Sequence, residues 1–144
     1  MPAESLVRLL EVLQPSLAMY VADSGIWSYP GPEEIRLALA DLVADHRNLI
    51  DRGAAILEER EVAVPRVAYP LSFTGWHDVD LQYALAWIVK GLTAQSPELE
   101  RLAAVADDAA ASGLAAEALR STRQHLDVFQ QIATKLKAGL SAAS

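Results

Sequence analysis

The stretch from Gly31 to Arg60 suits one regular structure above all others, a long amphipathic helix. Ile35, Leu39, Leu42, His46, Leu49, Gly53 and Ile56 recur at alternating spacings of four and three, the repeat of a helix that buries one stripe against its neighbours. The start is well signalled. Gly31 precedes Pro32, whose missing N–H is harmless at the first helical position, and Glu33 and Glu34 place negative charge at the positive end of the helix dipole. A stripe of this length needs partners of comparable length to cover it, so the rest of the chain has to supply them. His46 stands inside the stripe: at about 100° per residue, Leu39, Leu42, Ile50, Gly53 and Leu57 all lie within roughly 40° of it. Asp41, Asp45, Asn48 and Asp51 point sideways or away, toward the solvated face.

The partners are legible on either side. Leu6, Leu9, Leu10, Leu13, Leu17, Tyr20 and Val21 predict a first helix from about Glu4 to Asp23. Pro15 lies inside it and removes a backbone hydrogen bond, so a kink or short break is expected near Glu11 to Pro15; it either opens a pocket or bends the helix around the core. Ser24 to Pro30 is a short connection that makes the first two helices an antiparallel hairpin, with Trp27 and Tyr29 capping the end of the core. After Arg60 the helical period stops. Val62, Val64, Pro65, Val67, Tyr69, Pro70 and Phe73 mark an extended linker from Glu61 to His77, which at about 3.3 Å per residue reaches far enough to run the length of the bundle, its apolar residues against the helices.

A third helix is expected from about Asp78, as N-cap, with Asp80 in its first turn and Leu81, Leu85, Ile88, Val89 and Leu92 facing the core. Val79, Tyr83, Ala86 and Trp87 form a second apolar stripe, which makes this helix either central in the fold or half of a homodimer interface through Val79, Tyr83 and Trp87. Ser96-Pro97 predicts a kink or restart, continuing to about Ala111, and Ser112-Gly113 a tight reversal. The last helix then runs from about Leu114 to Ala138 with Leu114, Ala118, Thr122, His125, Phe129, Ile132 and Leu136 on one face. His125 is central on that face.

These elements describe an all-α chain, one helical-bundle domain over residues 1–144, built as two antiparallel hairpins joined by a long crossover. The net charge of −7 and pI near 4.8 leave no basic face for nucleic acid or an anionic membrane. The absence of cysteine excludes disulfides, thiolate metal sites and cysteine nucleophiles. With no export-signal pattern at the N-terminus and no apolar run long enough to span a bilayer, a soluble cytoplasmic protein is expected.

Two long helices each carry a histidine mid-length on the apolar stripe, and His46 and His125 are expected to point into the same core. With the helix order, the segments LVADHRNLID and RSTRQHLDVF resemble the two histidine-bearing helices of the ferritin-like superfamily, and FTGWHDVDLQYALAWIV is similar to uncharacterised bacterial members of it. The resemblance implies a four-helix bundle with a long crossover and, in members that hold a di-iron or di-manganese centre, two glutamates plus two Glu-x-x-His motifs. Carried over, the histidines are His46 and His125, but the motif's glutamates fall on Val43 and Thr122. A dimetal centre needs several carboxylates to neutralise its charge, and two imidazoles do not replace them.

Two readings therefore stand side by side. In one the bundle has no dimetal centre, its histidines are neutral core residues bonded to a partner such as Tyr20, Thr122 or Gln82, and the protein is a structural or interaction module with a protein partner. In the other, His46 and His125 ligate iron, manganese or zinc in a metal-binding or redox protein. His77-Asp78-Val79-Asp80 has ligand-type residues but equally suits a helix cap. Neither a phosphate-binding glycine loop nor a nucleophile elbow nor a zinc-protease helix motif is present, and no catalytic residue is assigned.

Overall fold

The computed structural model describes residues 4–23, 31–70, 73, 80–104 and 108–143. Among these the chain is all-helical: α1 (Glu4–Leu13), α2 (Leu17–Asp23), α3 (Glu33–Glu59), α4 (Leu81–Ala104) and α5 (Ala109–Ala143). Trp27, Tyr29, His77, Asp78 and Val79, with the roles expected of them, lie outside the described residues.

The first predicted helix is two, divided where Pro15 cannot continue it. Ser16 restarts the chain as the cap of α2, its Oγ accepting from the Met19 N–H at 3.1 Å. The break also anchors the crossover: the Gln14 side chain donates to the Pro65 carbonyl at 2.8 Å and accepts from the Val67 N–H at 3.0 Å. The linker thus lies against the bundle as expected, Val62 and Val64 packing on one apolar cluster and Tyr69 and Phe73 on the other.

Cross-helix pairs set the directions. Glu34, Asp45, Arg52 and Arg60 of α3 and the residue after it meet Lys135, His125, Glu117 and Asp108 in turn, so α3 and α5 run antiparallel. Along α4, Gln95 and Glu98 meet Val12 and Arg8, so α4 runs antiparallel to α1. Gly53 lets α1 approach α3 closely, since a Cβ there would stand 2.9 Å from Leu10 Cδ2. At Gly31 the backbone has φ +139° and a Cβ would stand 2.8 Å from Leu81 Cβ, so only glycine lets this turn pass the start of α4.

The end of α3 is a Schellman motif built without glycine. Glu61 takes the left-handed conformation at φ 59°, its N–H reaches the Glu58 carbonyl at 3.1 Å, and the Val62 N–H reaches the Leu57 carbonyl at 2.9 Å. Val62 and Leu57 share one apolar cluster, which is the contact that accompanies the motif.

Several boundaries differ from the sequence expectation, among them the end of α4 at Ala104, short of Ala111, and that of α5 at Ala143, beyond Ala138. The cap of α4 is Asp80, whose Oδ1 accepts from the Gln82 N–H at 2.8 Å. The helix does not restart at Pro97 but runs through it, and the Ser96 Oγ bonds back to the Leu92 carbonyl at 3.1 Å instead of capping a new helix. Ser112 and Gly113 lie inside α5, which begins five residues earlier than expected because Asp108 caps it, accepting from the N–H groups of Ala110 at 3.1 Å and Ala111 at 3.4 Å. The helix-favouring alanines around Gly113 carry it through.

Candidate functional site

The buried residues fall into two apolar clusters, and polar residues mark the boundary between them. On α3, Val43 belongs to one cluster and Leu49 to the other, with His46 between. On α5 the boundary falls between Ala118 and Phe129 and contains Thr122, and on α4 it falls between Leu92 and Leu99 and contains Gln95. His46 and Thr122 are both buried, 1% and 0% exposed. They meet across the α3–α5 contact with His46 Nε2 3.3 Å from Thr122 Oγ1. Of the three partners the sequence suggested, Thr122 is the one. Gln82 is exposed, and Tyr20 packs edge-on against Tyr69 at 5.2 Å between ring centroids.

The tautomer follows from what the other ring nitrogen lacks. His46 Nδ1 is buried without a hydrogen-bond partner. An unpaired acceptor costs less there than an unpaired donor, so we assign the proton to Nε2, which donates to Thr122 Oγ1. Burial pushes the His46 pKa down from 6.5 to about 4; the nearby His125 adds to this and Asp45 partly opposes it. The imidazole is neutral at neutral pH.

His125 does not join it in the core interior. Its side chain is 13% exposed and turns to the flank of α3, where Nε2 lies 2.5 Å from Asp45 Oδ2. Asp45, expected on the solvated face, is 56% exposed and also accepts from Ser121 Oγ at 3.5 Å. This Ser–Asp–His row places the carboxylate in the middle, whereas an activated serine needs the imidazole there, so Ser121 is no nucleophile. The same seam holds Arg52 on Glu117 through two bonds of 2.7 and 2.9 Å. At its far end Arg60 grips the buried Asp108 at 2.6 Å and, with the cap bonds, holds that carboxyl below the usual carboxylate range.

The sequence reading missed Asp45–His125 and Arg60–Asp108. Both join residues in different helices, and spacing within one helix carries no information about axial register between two. The available signal was weak: an acid next to His46 on the flank where a neighbour must pack.

Among the described residues the donors around His46 and His125 do not make the set a dimetal centre needs. Among the described residues no three side chains of histidine, cysteine, aspartate or glutamate gather as metal ligands. The positions of the motif's glutamates, Val43 and Thr122, are both buried and are an apolar packing residue and the His46 partner. Among the described residues no helix is long and apolar enough to cross a membrane. The second apolar stripe on α4 stays outward: Tyr83 is 63% and Trp87 44% exposed. No family model, curated protein or solved structure matches the chain.

Proposed function

We propose that this is a cytoplasmic ferritin-like four-helix bundle without a dimetal centre, a structural or protein-interaction module that pairs as a homodimer through the α4 face bearing Tyr83 and Trp87. The observation that carries the reading is the His46–Thr122 bond: the side chain at a motif glutamate position is spent on fixing the register of α3 against α5. The antiparallel pairing of α3 with α5 and of α4 with α1, and the crossover lying along the bundle, support the ferritin-like architecture.

The partner surface is argued from exposure. Large apolar side chains one helical turn apart on an outward face suit burial against a second copy. Sedimentation velocity over a concentration series tests this. A dimer that Tyr83→Glu converts to monomer is expected; a wild-type protein monomeric at every concentration refutes the dimer. The alternative, a metal or redox protein using His46 and His125, has one observation in its favour, the bare Nδ1 of His46.

A further inference from the structure

The break between α1 and α2 leaves a void. Opposite Pro15 and Leu17, α4 presents Gly91, whose Cβ direction meets nothing within 4 Å, and the resulting cavity of about 570 Å³ has Phe73 and Trp87 among its walls. That is a volume typical of small-molecule pockets, roughly 300 to 1,000 Å³.

The polar side chains in its described lining are Ser16, Lys90 and Gln95. Among the described residues Lys90 is the one ionisable residue in the lining, and its Nζ lies 5.0 Å from the Trp87 ring centroid, the ammonium held over the indole. Gln95 donates from Nε2 to the Val12 carbonyl at 3.2 Å, next to the helix break, which leaves its Oε1 buried without a donor. Apolar walls with a single cation suit a ligand with an apolar body and one negative charge.

We propose that this cavity binds a small anionic amphiphile, an acyl-chain carboxylate whose chain lies between the α1–α2 break and Gly91 and whose carboxylate is held by Lys90. A docked peptide helix needs a run of anchor pockets at successive turns, and this is one compact hollow. A symmetric second copy fills the hollow only where a projecting side chain of its own face meets it, an outcome the test below separates. The site shares Trp87 with the proposed dimer face, whose most exposed residue, Tyr83, is not in the lining.

Dodecanoate below its micelle threshold is the probe, measured by titration calorimetry. Saturable binding is expected. Gly91→Leu puts a side chain into the hollow where a Cβ meets nothing within 4 Å and replaces a helical glycine, so it should abolish binding while the circular dichroism spectrum and melting temperature are kept or improved. Lys90→Gln should weaken dodecanoate about fivefold, dodecyltrimethylammonium should bind more weakly than dodecanoate, and Tyr83→Glu should leave dodecanoate binding unchanged. The proposal is overturned by no saturable binding to wild type, by undiminished binding in Gly91→Leu, or by equal binding of the cationic amphiphile. A dimer that Gly91→Leu dissociates, in a protein that ignores dodecanoate, also overturns it and gives the hollow to a second copy.

Discussion

Acidification should unload the bundle at His46 in a defined pH window. In the unfolded chain this imidazole takes a proton near pH 6.5, whereas in the folded core it stays neutral until about pH 4. Above 6.5 neither state is protonated and the contribution is complete. Between 6.5 and 4 only the unfolded state gains the proton, so stability falls by about 1.4 kcal/mol per pH unit; below 4 both states are protonated and the loss levels off. Over the whole window the loss is about 3 kcal/mol, a large share of the roughly 5–15 kcal/mol that stabilises a typical domain. The reference is the double variant His46→Leu/Thr122→Val, which replaces both partners by apolar groups and leaves no orphaned polar atom. Urea unfolding of both proteins from pH 7.5 to 4 gives the difference directly, because the carboxylates titrate in each and cancel. The wild type should lose about 3 kcal/mol relative to the variant, and the His46 ring proton signals should titrate near pH 4. A difference that stays flat across the window would refute the claim that His46 is sealed and neutral.

Three further predictions concern the frame around this joint. Glu61→Gly should raise stability by about 1 kcal/mol in thermal or urea unfolding, because it relieves a left-handed conformation that glycine takes freely. Gly31→Ala should cost about 2 kcal/mol, since alanine is strained at that φ and its Cβ meets Leu81; an unchanged melting temperature would show that the turn adapts. Asp108→Ala should cost about 2 kcal/mol through loss of the α5 cap and of the Arg60 contact, with Asp108→Asn recovering part of it; equal losses in the two variants would mean that the cap contributes nothing.

What the sequence shows well is whatever lies within one helix. The bounds of α3 are recovered nearly to the residue because its stripe is unbroken and Gly31-Pro32 opens it. The α1–α2 break follows from Pro15 alone. The start of α5 is misread because Ser112-Gly113 has turn chemistry that the surrounding alanines override, and the true cap, Asp108, follows another aspartate that carries the same signal. Pro97 removes one hydrogen bond from a helix whose Leu99 and Leu102 are buried beyond it, and that packing outweighs the loss.

The site was half visible. His46 on the stripe of α3 is where the sequence places it, and Thr122 was among its candidate partners. The turn of His125 toward Asp45 depends on how α3 and α5 are rotated and slid against one another, which two separate periodicities do not fix. A pocket at the Pro15 kink was one of two outcomes the sequence offered, but its far wall at Gly91 was hidden, because which residue of another helix faces the break depends on packing.

Elemental analysis of protein purified without an affinity tag, after growth with iron, manganese and zinc supplied, tests the central claim most directly. If His46 and His125 are structural, wild type and His46→Ala carry the same background of metal while the variant loses stability. About one or two ions per chain in the wild type, lost in His46→Ala, would contradict the account and make the two histidines ligands.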